Sequence, residues 1–433
     1  MILEVLEFFF LFLTAIMISY LFRHYIFTIS VLRSLKKSHF ERQTSLYQPT
    51  VSILIPASNE EKVIGRLLQR ITNFTYPKEK LQVIVIDDAS NDRTGEITDA
   101  YKRKYPFVEV VHRSADVGRK GKASAMNHGF KSVKNDIVLC FDADYYPQND
   151  IVEKLIQVFD DSKVGAVQGR VVVLNEPQNF VTRIVALERT GGYRVDQEAR
   201  NILNLITQFG GTVGGFRRSV LLDLGGWDEF VLAEDTDLTF RVYLAGYKIR
   251  YCVNAQCYEE AVDNWKSYWH QRYRWAKGHM QCFFKHSVSV MKSKKLTAKE
   301  KLDGLMLLGV YFMPILVLLS IFVGVPLIFQ DLLIVEVSWI AIPISLYCFV
   351  GNFAPFFEVG AGLYLDGRTR TQWLIPLLLF TFLFNIPICV KAFFSVIYSK
   401  FLRKNRHVWV KTTHSGSGNC YIGSPSLTSV DKK

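Results

Sequence analysis

The sequence predicts an α/β domain on a mostly parallel sheet, set between transmembrane helices. Three observations carry that prediction. From residue 51 to residue 144 short apolar runs alternate with helical patterns, the order that builds a parallel sheet with helices on both faces. Residues 1–32 and roughly 304–398 are apolar and rich in Phe, Leu and Ile, whereas the chain between them has ordinary globular composition. Acidic pairs stand where two of the apolar runs stop, at the edge where open α/β sheets take ligands. The 433 residues divide accordingly into an N-terminal membrane helix (1–32), a globular domain (50–290), about three C-terminal membrane helices (303–398), and a polar tail (399–433) that is cytosolic or mobile.

The elements follow in order. Phe8 to Phe22 is uncharged, Arg23 interrupts, and apolar residues resume to Leu32. No basic n-region opens this stretch and no small-x-small site follows it, so it reads as an anchor rather than a cleaved signal. VSILIPASNE (51–60) is a buried strand running into a loop, and Val63, Ile64, Leu67, Leu68 and Ile71 repeat at helical spacing. LQVIVIDDAS (81–90) is a second strand ending in Asp87 and Asp88; Asn91, Asp92 and Thr94 then offer helix N-cap chemistry. VEVVHR (108–113) is a third strand, KASAMNHGFK (122–131) a helix, and DIVLCFDAD (136–144) a fourth strand ending in Asp142 and Asp144. LAEDTDLTFRVYLAGYKI (232–249) opens with acids and becomes helical. WHQRYRWAKGHM (269–280) is a helix with Gln271, Arg274 and Trp275 on one face.

Beyond it, no charge occurs between Asp303 and Asp331, nor between Glu336 and Glu358, and Thr371 to Val390 is a further candidate span. Gly351 to Leu365, with three glycines and a proline, is the expected irregular piece among them. The formal net charge is +12. Much of it flanks the apolar ends, at Arg33, Lys36 and Lys37 and again at Lys292, Lys294, Lys295, Lys400, Arg403 and Lys404. That placement fits an anionic bilayer surface and not nucleic acid. No Lys or Arg precedes the first span and several follow it, so the N-terminus is expected outside and the globular domain in the cytoplasm of a multi-pass cell-membrane protein. The seven cysteines form no C-x-x-C pair and no zinc spacing, which suits reduced thiols.

The acidic edge suggests chemistry. In an extended stretch Asp142 and Asp144 point the same way, and two hard oxygen donors so placed hold a divalent cation whose shell phosphate oxygens complete. An isolated D-x-D is more often a capped turn; following an apolar strand and sharing an edge with Asp87 and Asp88 favours the cation. GRKGKASAMNHG (118–129) places Lys122 near a helix N-terminus, suited to a diphosphate or to a solvated basic loop. FGGTVGGFRR (209–218) is a small-residue stretch that lets a substrate approach the backbone.

These pieces together resemble the processive family 2 glycosyltransferases, the inverting membrane polysaccharide synthases related to cellulose, chitin, hyaluronan and poly-N-acetylglucosamine synthases. The resemblance rests on the DD of VIDDAS, the DAD of FDADYYP, the ED of AEDTDL, and QRYRW, in that order, and covers about residues 50–285 plus the flanking spans. It implies a GT-A domain. It implies that Asn59, Glu60, Asp87, Asp88, Lys122, Arg272 and Arg274 bind the nucleotide sugar, and that Asp142 and Asp144 hold a divalent cation, Mg2+ or Mn2+. It makes Asp235 the catalytic base and gives Glu234, Gln271 and Trp275 to the acceptor. Arginine's planar fork suits a diphosphate, and tryptophan offers a flat face for a sugar ring. Two departures stand out: Ala233 where relatives often have Thr or Gly, and DDAS where they have a DDG-type turn. One N-terminal span is expected, where several relatives have two.

The implied reaction moves a sugar from a UDP-sugar, with UDP-N-acetylglucosamine preferred, to a growing β-linked polysaccharide that is exported through the spans. The alternative is transfer of one sugar to a membrane lipid, because some glycolipid glycosyltransferases carry the same helix motif. The sequence does not fix the sugar.

Overall fold

The computed structural model describes residues 2–35, 47–116, 118–329 and 353–401. The stretch 330–352, which holds most of the expected span after Glu336, and the tail from 402 lie outside them.

The globular part is built on one eight-stranded sheet in the order β3-β2-β1-β4-β7-β6-β8-β5. Its first half is the predicted one: β1 (Val51–Ala57), β2 (Leu81–Asp88), β3 (Val108–Arg113) and β4 (Ile137–Cys140) are mutually parallel, β1 lying between β2 and β4. The helices α2 (Ile64–Thr72), α3 (Thr94–Lys104) and α4 (Lys122–Phe130) connect them. Side chains alternate across β1 and β2 as a pleat requires. Ile53, Ile55, Val83 and Val85 pack with Leu67 and Leu68 of α2 on one face. Leu54, Ile84 and Ile86 pack with Met126 of α4 on the other. Each such residue is fully buried, worth about 1.5–3 kcal/mol apiece.

The second half departs from a purely parallel sheet. After β5 (Tyr146–Pro147) and α5 (Ile151–Ile156) come β6 (Val164–Val173), α6 (Phe180–Arg189), a π-helix over Thr190–Asp196, and α7 (Gln197–Ile202). Then β7 (Gly214–Arg217) inserts antiparallel between β4 and β6. Glycine is required in that slot, since a Cβ on Gly215 would stand 2.0 Å from the Val138 carbonyl oxygen. The chain continues through α8 (Arg218–Asp223), α9 (Glu234–Ala245) and β8 (Lys248–Glu259), which runs parallel to β6. The sheet is mixed but mostly parallel, and the described cysteines are free.

The long helix α10 (Trp265–Lys292) begins at Asn264, whose side chain accepts from the Ser267 N–H. It leads to α11 (Ala298–Gly309) and α12 (Met313–Phe329), separated by a 3-10 turn at Val310–Phe312, and then to α13 (Ala354–Leu365) and α14 (Leu377–Phe401). With α1 (Ile2–Ser34), three described segments are long and apolar enough to cross a membrane: Phe8–Ser34, Ala298–Pro326 and Leu377–Ser399. Trp265 and Trp269 pack against Phe384 of α14, with centroids 5.0 and 5.7 Å apart.

One expectation changes and one is refined. The first helix is continuous, and the Arg23 that breaks its uncharged run is buried within it and paired with Asp196 at 2.5 Å and Asp303 at 3.4 Å. Arg200, fully buried, joins the same two carboxylates. Gly351–Leu365 is not irregular where described, because Ala354–Leu365 is a helix with proline at its first turn, where a missing N–H costs nothing. Its Glu358 is buried and paired with His24 of α1.

Candidate active site

The C-terminal ends of β1, β2 and β4 open into a cleft of about 450 Å³, a volume suited to a small ligand. At one end Asp88 and Glu60 line it. Asp88 accepts from the Arg113 guanidinium at 2.7 Å and from the Arg119 backbone N–H at 3.1 Å. Asp87 does not line the cleft; its carboxylate meets His112 Nδ1 at 2.9 Å and accepts from the Ser90 N–H at 3.2 Å. Asn59 is likewise outside the lining and stitches two loops together, accepting from the Asn91 N–H at 2.8 Å while its own N–H donates to Ser90 Oγ. Ala89, in the turn after the acidic pair, has φ 56°, a left-handed conformation that glycine adopts without strain.

Asp142 and Asp144 both line the cleft, but not as alternate residues of a strand. The strand stops at Cys140 and residues 142–145 turn, with the Tyr145 N–H donating to the Asp142 carbonyl. The loop before β7 holds the turn, since Thr212 Oγ1 accepts from the Asp142 N–H at 3.0 Å. The Lys122 ammonium lies 2.5 Å from the Asp142 carboxylate and donates to the Gly211 carbonyl at 3.0 Å. Burial alone would lower that ammonium; the Asp142, Glu234 and Asp235 carboxylates outweigh it and raise its pKa.

Glu234 and Asp235 open α9 and line the middle of the cleft. Gly211, at φ 83°, lies against Asp235 so closely that a Cβ there would stand 3.2 Å from Oδ2. Burial, reinforced by the charge of Asp235 and opposed by Lys122, pushes the Glu234 carboxyl up to about 7 from its ordinary 4.5. A carboxyl whose folded value lies above its unfolded value costs stability as pH rises between the two. Glu234→Gln is neutral throughout. Its melting temperature is therefore expected to gain on the wild type from about pH 5 to about pH 7 and to level off above. A difference that stays flat with pH in thermal melts would refute the assignment.

On α10, Gln271, Arg274 and Trp275 line the cleft together. Arg272 does not; it is buried against Glu188, and its guanidinium lies 4.3 Å from the Trp275 ring centroid. The Arg189 guanidinium lies 4.9 Å from the same ring, so cation–π contacts brace the indole. Residues that no motif marked also line the cleft, and four of them are Arg189, Gln208, Glu259 and His279. Arg189 pairs with Glu259, which also accepts from the Tyr145 hydroxyl at 2.8 Å. Helical spacing marks one of the four, since His279 stands one turn beyond Trp275 on the cleft face. Leu307, Val310 and Tyr311 from the α11–α12 junction add apolar surface to the lining.

Comparison with known proteins places this architecture. The family described as "Glycosyltransferase like family 2" matches residues 49–278. A probable glycosyltransferase of Bacillus subtilis, YdaM, is 38% identical over 63% of this chain, and the match spans 64% of that protein's length. The beta-monoglucosyldiacylglycerol synthase of Trichormus variabilis is 30% identical over 88% of this chain and 80% of its own length. The poly-beta-1,6-N-acetyl-D-glucosamine synthase of Staphylococcus aureus is 28% identical over 57% of this chain and 58% of its own. Among solved structures, a mannosyltransferase from Pyrobaculum calidifontis, in complex with GDP-Man and Mn2+, superposes with a TM-score of 0.59 over 91% of this chain and 99% of its own at 22% identity, a likeness of fold. With a GT-A-like fold, a family match that runs from β1 into α10, and a relative aligned along most of its length, the chain belongs to glycosyltransferase family 2.

Proposed function

We propose that this enzyme transfers a single sugar from a UDP-sugar to a lipid acceptor at the membrane face. The observation that carries the reading is that one cleft is lined both by Asp88, Lys122 and Asp142 and by Leu307, Val310 and Tyr311, residues of the candidate span Ala298–Pro326. An acceptor that meets the cleft along that span comes out of a bilayer. The relative matched along most of this chain is named as a glycolipid synthase, so the lipid reading stands ahead of the polysaccharide one. Its name makes glucose the first sugar to try, before N-acetylglucosamine.

In this reading the domain 50–290 works at the cytoplasmic face of a multi-pass cell-membrane protein. The flanking Lys and Arg residues and the apolar segments support that placement. Glu60, Asp88, Lys122 and Arg274 meet the donor in the cleft, while Asn59, Asp87 and Arg272 shape its walls from behind. Glu234, Gln271 and Trp275 face the acceptor. Asp235 takes the proton of the acceptor hydroxyl. The oxygen bonds to the anomeric carbon from the side opposite the diphosphate, and the bond to UDP breaks with its electron pair leaving on the diphosphate. An α-linked donor then gives a β-linked product.

Two carboxylates, Asp142 and Asp144, line the cleft, hard oxygen donors of the kind a divalent cation takes together with phosphate oxygens; the Lys122 ammonium now paired with Asp142 would have to give way. Asp142 and Asp144 would hold the ion, which supplies charge neutralisation to the departing diphosphate. Asp142→Ala and Asp144→Ala are each expected to abolish metal-dependent turnover. Wild-type rates from either variant in EDTA would reject the assignment.

The experiment that decides the function supplies purified enzyme with UDP-glucose, with and without diacylglycerol, and measures UDP release and product mass. The expected result is lipid-dependent release and a monohexosyl lipid. Release without added lipid, with a high-mass carbohydrate product, would establish polymer synthesis instead.

A further inference from the structure

Asp235 is reached by a chain of hydrogen bonds that the reaction above leaves unused. Its Oδ1 accepts from the Thr236 backbone N–H at 2.6 Å and lies 3.3 Å from the Thr236 hydroxyl. Thr236 Oγ1 lies 2.9 Å from Gln208 Nε2 and 3.1 Å from His279 Nε2. Gln208 is itself fixed, its backbone N–H donating to Gln197 Oε1 at 3.0 Å and its carbonyl accepting from Gln197 Nε2 at 2.7 Å. Three separate segments therefore meet at one hydroxyl: the start of α9, the loop before β7, and α10.

The protons can be placed by counting. A hydroxyl has one proton to give and two lone pairs to fill. The Gln208 amide nitrogen only donates, so it fills one lone pair. Burial pushes the His279 imidazole down to about 4, against the opposing charge of Asp235, so the ring is neutral and carries one proton. His279 Nδ1 is buried and has no hydrogen-bond partner. Nε2 also lies 3.4 Å from Gln208 Nε2, long for a hydrogen bond and longer than its 3.1 Å to Thr236 Oγ1. A buried N–H left without an acceptor is rarer than an underused lone pair, which puts the proton on Nε2, donating to Thr236. With both its lone pairs filled, Thr236 has one proton left and one acceptor for it, Asp235 Oδ1.

We propose that His279 and Gln208 are positioning residues that act through Thr236, holding its hydroxyl as a donor to Asp235 Oδ1 and leaving Oδ2 to take the acceptor's proton. Oδ2 is the oxygen that faces Gly211 in the cleft. Tying Oδ1 stops the carboxylate from rotating and exchanging its two oxygens. His279 shares its helix face with Gln271 and Trp275, so the same helix that receives the acceptor also orients the base. Acceptor and base are thereby kept in register.

The inference rests on Asp235 being the base, and the test separates the two claims. We would measure kcat and UDP-sugar affinity for Thr236→Val, Thr236→Ser, His279→Ala and His279→Gln beside Asp235→Asn, after thermal melts confirm that each is folded. Thr236→Val and His279→Ala are expected to lose about tenfold or more in kcat, the worth of a buried hydrogen bond to a charged group, with donor affinity unchanged. Thr236→Ser keeps the hydroxyl and His279→Gln returns an N–H donor near the Nε2 position, so both should recover most of the loss. An unchanged kcat in Thr236→Val, or equal losses in His279→Ala and His279→Gln, overturns the positioning role while an inactive Asp235→Asn leaves the base in place. Full turnover by Asp235→Asn removes the base and the positioning role together.

Discussion

Asp235→Asn is expected to slow sugar transfer by about 10²- to 10⁴-fold, the usual cost of losing a general base, while UDP-sugar affinity stays within about twofold of the wild type. The amide keeps the shape of the carboxylate. Its carbonyl oxygen can still accept from the Thr236 N–H, which holds Oδ1 at 2.6 Å in the native enzyme. What it cannot do is take a proton from an attacking hydroxyl. The residues proposed to bind the donor, Asp88 and Lys122 among them, are other side chains of the cleft, and these are untouched. Single-turnover transfer and a UDP-sugar titration on the same preparation check both halves. A collapse of donor affinity would make Asp235 a binding residue, and the base would then have to be sought at Glu234.

Asp237→Ala is expected to cost about 3–5 kcal/mol of stability, as removing one partner of a buried ionic cluster does. Asp237 is fully buried on α9. It accepts from His286 Nε2 at 2.8 Å, Lys285 Nζ at 2.6 Å and Arg241 Nε at 2.7 Å. Burial alone would raise its pKa; the hydrogen bonds from His286 and Lys285 and the charge of Arg241 prevail and hold it well below the usual carboxylate range. A depressed carboxylate contributes stability above the unfolded value and loses it as pH falls toward the folded one. The gap between wild type and variant should therefore be widest near neutral pH and close progressively below about pH 4. Since this cluster pins α9 to α10, the variant should lose activity with its fold. A melting temperature unchanged at pH 7 would refute the clamp.

Much of the site could be read in the sequence because it lies at strand ends and on one helix face. Three of the four parallel strands, β1, β2 and β4, are largely apolar runs, and the carboxylates that end β2 and follow β4 are visible as pairs. The face shared by Gln271, Arg274 and Trp275 follows from helical spacing alone. The antiparallel strand was not legible: Gly214–Arg217 carries no alternation, and its glycines answer to the backbone beside them rather than to any period. The π-helix at Thr190–Asp196 has no distinct sequence period either. For the same reason Arg189, Gln208 and Glu259 could not be assigned to the cleft, since they reach it only through elements brought there by tertiary packing. The family resemblance placed Arg272 at the site and its strand end placed Asp87 there, but the pairs they form with Glu188 and His112 turn them into its walls.

The pairing of Arg23 with Asp196 also has a consequence in time. The first helix emerges from the ribosome 173 residues before its partner, an interval of roughly 9–35 s at 5–20 residues per second. Throughout it, the Arg23 guanidinium lacks the carboxylate it meets in the folded protein. Asp303 follows later still. The first helix therefore reaches its final pairing only when the globular domain has folded against it, and a globular domain produced without that helix would carry the matching defect, two carboxylates at Asp196 and Asp303 left with Arg200 alone.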